Sequence, residues 1–148
     1  MKKFRFSLDR LRQLREARLE SERALLNSLV VERGELQRRW TELEEEEMRA
    51  MSELRLKRVV EVQELAALDG FRRFAGVERV RLQAAAASLD GRIERQRQAV
   101  LDARRQVEAL NSLRQRRLEA WRKEMDRETE NAVAELVIAR WREGRGRA

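Results

Sequence analysis

Between Leu82 and Leu110 the chain repeats in alternating steps of four and three: Leu82, Ala86, Leu89, Ile93, Gln96, Val100, Ala103, Val107 and Leu110, with Gln96 the one polar member. A row this narrow is the stripe of a coiled-coil helix rather than the broad apolar face of a globular one. It cannot bury itself. A partner helix has to come from elsewhere in this chain or from a second copy.

A second, leakier series precedes it: Leu19, Glu22, Leu26, Leu29, Arg33, Leu36, Trp40, Leu43, Glu47, Ala50 and Leu54. Its charged members, Glu22, Arg33 and Glu47, can reach the edge of a two-helix seam, which they could not do in a closed core. Gly34 lies inside this series and costs about 1 kcal/mol relative to Ala. The acidic block at residues 44–47 reads as a solvated helix face, since a hard cation needs ligands converging from several directions. Ser7 is suited to cap the helix, with Asp9 in the first turn, and Leu8, Leu11 and Leu14 fall on one side.

From Leu56 to Leu68 the pattern widens, with Val59, Val60 and Val62 close together. The sequence leaves open whether this stretch continues the first helix or forms a short one of its own. Asp69-Gly70 is the strongest turn signal and lies near the midpoint. Phe71 and Phe74 then plug the bend or present a docking patch, and Gly76 offers a new entry angle. The second helix carries the stripe through Arg114, Leu118, Trp121, Met125, Glu128 and Ala132. The four-four step from Leu110 to Arg114 to Leu118 is a stutter.

The expected fold is therefore all-α, a long two-helix antiparallel coiled-coil hairpin with its bend near Asp69-Gly70. Helix one spans about 7–66, the turn about 67–72, helix two about 73–142, and a basic tail 143–148. Arms of about 60 residues would each measure roughly 90 Å. Both termini would lie together at a basic end formed by Lys2, Lys3, Arg5, Arg10, Arg12 and Arg15 from one arm and Arg140, Arg142, Arg145 and Arg147 from the other.

Composition agrees. Of 148 residues 41% are charged and 5% aromatic, with no proline, which suits a seam but not a thick core. No apolar run approaches a membrane span and the N-terminus lacks an apolar signal core, so a soluble, cytoplasmic protein is expected. The chain has no His, Cys or Tyr, which removes the commonest general base and the commonest metal and covalent ligands. No glycine-rich phosphate cradle occurs, and two helices offer no concave pocket to shift a carboxylate pKa. The expectation is a non-enzyme with no cofactor, metal or small-molecule substrate. Net charge is +7, from 34 basic and 27 acidic residues interspersed along the chain, as on the solvated face of a long helix. A basic coiled-coil nucleic-acid binder is an alternative without a recognition motif, and a structural coiled coil dimerising through unbroken helices is another.

The opening Lys3-Phe4-Arg5-Phe6-Ser7-Leu8, followed by Leu11, Leu14, Arg15 and Glu16, resembles the start of the FliJ family of flagellar export proteins. The run Val107-Glu108-Ala109-Leu110, then Arg116-Arg117-Leu118-Glu119-Ala120-Trp121-Arg122-Lys123-Glu124 and Asp126-Arg127-Glu128, is similar to that family's C-terminal signature. The chain departs from it at Trp121, where Tyr is frequent, and over residues 130–134. The resemblance implies a soluble component of the flagellar type III export apparatus at the inner membrane of the flagellar base. Its implied partners are the hexameric export ATPase, the export-gate membrane protein and export chaperones, with the chain itself monomeric when alone. For the ATPase, Phe4, Phe6, Leu11, Arg12 and Arg15 would act opposite Ile138, Arg140 and Trp141. For the gate, Leu43, Phe71 and Phe74 near the bend are the candidates.

Overall fold

The computed structural model describes residues 2–147. The fold is all-α: α1 spans Asp9–Leu56 and α2 spans Val62–Gly146, 48 and 85 residues long, with no strand among the described residues. Two compact units divide the chain. One is Leu19–Asp102; the other joins the chain up to Arg18 to the chain from Ala103 onward.

Within Leu19–Asp102 the two helices form an antiparallel hairpin. Leu29 packs with Leu89 and Ile93, while Leu43, further along α1, packs with Ala75 and Leu82, earlier in α2. Every member of both four-three series in this unit is buried or half-buried, and Leu43 is fully so at 0% exposure. The seam is the core. It has the thickness of two side chains, so its energy comes from length rather than depth.

The polar positions of the seam answer one another. Gln96 donates through Nε2 to the Glu22 backbone carbonyl at 2.9 Å and also to the Glu22 carboxylate. Arg33 Nε donates to Asp90 at 2.9 Å. Glu47 receives Arg72 at 3.3 Å and Arg79 at closer range, and its side chain is 15% exposed. Three members of the acidic block, Glu44, Glu45 and Glu46, do face solvent. Glu47 is the fourth and turns inward. The hydrogen bond from Arg79, with Arg72 behind it, holds the Glu47 carboxyl below the usual carboxylate range despite the opposing effect of desolvation.

The bend is not at Asp69-Gly70. It falls at residues 57–61, and residues 69–70 lie inside α2. An Asp-Gly turn needs glycine at positive φ, and no glycine in the chain adopts it. Gly70 instead occupies the solvent face of the helix, where an added Cβ would meet nothing within 4 Å. Its cost is outweighed by Leu68, Phe71 and Ala75, which carry the seam straight past it. At the real bend, β-branched Val59 and Val60 are poor helix formers. Glu64 fixes the restart of the helix: it accepts the Glu61 backbone N–H at 3.4 Å and Lys57 Nζ at 2.5 Å. The stretch 56–68 is thus neither an extension of α1 nor a separate helix; it is the end of one, the connection, and the start of the next.

In the other unit, residues 2–8 run non-helically along α2. Helix α1 begins one residue later than a Ser7 cap would give. The Leu8 carbonyl accepts Arg12 N–H at 2.9 Å, and the Ser7 hydroxyl is engaged by Arg117 Nη1 at 2.7 Å. Leu11 and Leu14 are exposed, at 38% and 64%. Stepping the α1 series back from Leu19 leads to Arg15, Arg12 and Leu8, and these are half-buried, as are Asp9 and Glu16. Long arginine stems can occupy such positions with their heads in water. On α2, Ala103, Val107 and Leu110 are buried or half-buried, and at the stutter both Leu113 and Arg114 share the role. The helix passes the expected stop near Trp141 and continues to Gly146.

Two outcomes follow from this arrangement. Gly70→Ala will raise stability by about 1 kcal/mol, read as a higher thermal midpoint; a glycine in a left-handed turn would give the reverse. Glu47→Gln will lower stability by about 1 kcal/mol near neutral pH. Because the folded carboxyl titrates below the unfolded one, its contribution is present above the unfolded pKa and lost as pH falls through the folded value. Denaturation curves of the variant and the parent chain will therefore converge in acid.

Candidate functional site

The first stretch of the chain meets α2 around Arg114 to Trp121 within one unit. The Phe4 ring lies 6.0 Å from the Trp121 ring at 54°, and Arg114 sits 5.7 Å from the Phe4 centroid. Arg117 lies 5.5 Å from the Phe6 centroid while holding Ser7. Phe6 is 8% exposed and Phe4 half-buried. The alternation in Phe4-Arg5-Phe6 explains the geometry: an extended chain turns both rings toward α2 and Arg5 toward water. Each aromatic ring then meets a cation or another ring at a contact worth about 0.5–1.5 kcal/mol beyond its area.

Arg12 is held within its own helix. Asp9 accepts its Nε and Nη2, Glu16 accepts its Nη1, and the hydrogen bond to Asp9 is the main cause that raises its pKa. Arg15 is half-buried on the α2-facing side.

The residues expected opposite this group are elsewhere. Past Met125 every residue of α2 from 126 to 147 is exposed. Ile138, Arg140 and Trp141 lie on this bare stretch, about 30 Å along the helix from Trp121 at 1.5 Å per residue. Trp141 is 58% exposed, with Arg145 over its ring at 4.1 Å. Bringing the bend forward from residues 69–70 to 57–61 shortens the arm that precedes it and leaves the end of α2 without a mate. The basic residues divide accordingly: those at the N-terminus lie beside α2, and Arg140, Arg142, Arg145 and Arg147 lie on the extension. A groove of ≈ 420 Å³ lined by Lys2, Trp121, Met125, Glu128, Thr129 and Ala132 marks where the N-terminal segment stops and the bare helix begins.

The residues grouped around the expected bend also separate. Leu43 is wholly buried in the hairpin seam and has no surface to offer a partner. Phe71 packs against the same cluster. Phe74 is 53% exposed, 6.4 Å from the Phe71 ring, and continues into Val77 and Val80, which are more exposed still. Of the three, Phe74 alone presents a ring to solvent.

Arg117, Val133, Leu136 and Val137 did not stand out in the sequence as contact residues, and Arg114 stood out only as a position on the stripe. The apolar residues concentrated at 132–139 are the sequence signal for Val133, Leu136 and Val137. Among the described residues no His, Cys, Asp or Glu cluster could hold a metal ion, and no helix is long and apolar enough to cross a membrane. No protein-family model, no curated protein and no solved structure matches the chain.

The Phe4–Trp121 contact predicts coupling. Phe4→Ala and Trp121→Ala will each destabilise the protein, and a double-mutant cycle will return an interaction energy of about 0.5–1.5 kcal/mol. Strict additivity would mean that the N-terminal segment is not held there.

Proposed function

We propose that the chain is a non-catalytic, FliJ-like component of a flagellar type III export apparatus, binding the export ATPase ring, the export gate and export chaperones. One observation carries the reading. The two stretches that bear the resemblance, Lys3 to Leu8 and the run around Arg116 to Glu124, pack directly on one another through Phe4, Phe6, Ser7, Arg117 and Trp121. Residues that look like a signature in two distant parts of a chain have a physical reason to occur together if each is the other's docking site.

In this reading Phe4 and Phe6 do not touch the ATPase. They fasten the first segment to α2. The ATPase contact falls to the bare end of α2, where Ile138 and Trp141 anchor and Arg140 meets acidic groups with its fixed fork geometry. The gate contact falls to the face presented by Phe74, Val77 and Val80. Leu43 drops out, being interior.

Co-elution with a ring-forming export ATPase, together with its hydrolysis rate, tests the proposal. The expected result is a complex with altered turnover, and Trp141→Ala will weaken binding at least tenfold while leaving the helix content of the chain unchanged. A chain that neither co-elutes nor alters turnover would dismiss the export role.

A further inference from the structure

The bare end of α2 carries Val133, Leu136, Val137, Ile138 and Trp141, all between 51% and 65% exposed. Apolar residues scattered singly over a surface are ordinary, but five large ones within three turns of one helix are a patch. Two features indicate what covers it.

The first is the direction of the patch. Continuing the seam's steps past Met125 leads to Glu128, Ala132 and Glu135. Val133, Val137 and Trp141 form a separate row, four residues apart and on nearly the opposite side of the helix. A longer N-terminal segment would cover the first row and leave the second in water. The patch is therefore more than the unmated end of the seam.

The second is charge. Asp126, Glu128, Glu130 and Glu135 outnumber the one early base, Arg127, whereas Arg140, Arg142, Arg145 and Arg147 outnumber the one late acid, Glu143. The segment is negative in its first half and positive in its second. Laid against itself in the opposite direction, it is self-complementary. With the midpoint near Val137 and Ile138, Glu130 falls opposite Arg145 and Trp141 opposite Ala134. A parallel pairing would set acid on acid and base on base.

We propose that these extensions pair antiparallel between two copies of the chain, forming a two-fold symmetric contact. One helix face about 30 Å long is smaller than the roughly 800 Å² per partner of a standard stable interface. The dimer is accordingly weak and reversible, and dilute protein is monomeric. Pairing buries Trp141, so a chain engaged this way has its proposed ATPase anchor covered. The inference itself does not depend on the export role, and its test contains no ATPase.

Sedimentation equilibrium of the full chain, from micromolar to near-millimolar concentration, reads the association directly. The expected result is a mass rising from one chain toward two. Val137→Glu will hold it at one chain, with helix content by circular dichroism unchanged. A chain carrying Glu130→Arg, and another carrying Arg145→Glu, will each stay monomeric alone and associate when mixed. Because the protein lacks cysteine, direction can be read by single substitutions. Val137→Cys will oxidise to a covalent dimer and Val133→Cys, set well off the two-fold axis, will not. A monomer throughout the concentration range, association indifferent to Val137→Glu, or equal cross-linking at both positions would overturn the proposal.

Discussion

A stripe one residue wide must lie against another helix, and that requirement governs this molecule. The Leu19–Asp102 unit has no layer behind its seam, and Leu43 and Ala75 are as deep as the interior goes. Stability in such an architecture accumulates along the contact line, position by position. Any residue that disturbs the spacing between the two stripes is felt by its neighbours on both sides.

A uniform hydrophobic stripe would leave register poorly defined, since sliding by a heptad restores nearly the same contacts. The polar interruptions remove that freedom. Gln96 meets Glu22, Asp90 meets Arg33, and Arg72 with Arg79 meets Glu47. Each pair costs desolvation, and each is satisfied in one alignment. A single slipped turn would leave half-buried charges without their partners, a penalty larger than the modest worth of the pairs themselves. The leakiness of the first stripe is thus the means by which the second is addressed.

The stripes were legible because periodicity is a property of many residues at once. Every position in the two series from Leu19 to Leu54 and from Leu82 to Leu110 proved buried or half-buried. The bend was misplaced because a turn signal is a property of two residues, and two residues can be overruled. Gly70 costs about 1 kcal/mol in a helix, while the seam on either side of it gains several times that from burial. The connection at 57–61 has no Gly or Pro to announce it; it relies on Val59, Val60 and the grip of Glu64 on Lys57 and Glu61. That one displacement propagated to the candidate site. It brought Phe4 to Trp121 rather than to Trp141, made Leu43 interior, and exposed the end of α2. Single-residue roles were likewise hidden where a side chain had two available uses, as with the Ser7 hydroxyl, taken by Arg117 instead of the helix start.

The bare end of α2 has a consequence for how strongly anything can grip it. A helix without a neighbour persists on intrinsic propensity alone, and isolated helices of about 20 residues sit near the balance between coil and helix in water. Whatever covers this segment must also supply the ordering entropy of the fraction that is uncoiled when free. Ala132, Ala134 and Ala139, the best helix formers available, lower that entropic toll across the segment. Side chains pointing away from a partner would then tune its residence time as surely as those that touch it, by setting how much of the free chain is already in the shape to be recognised.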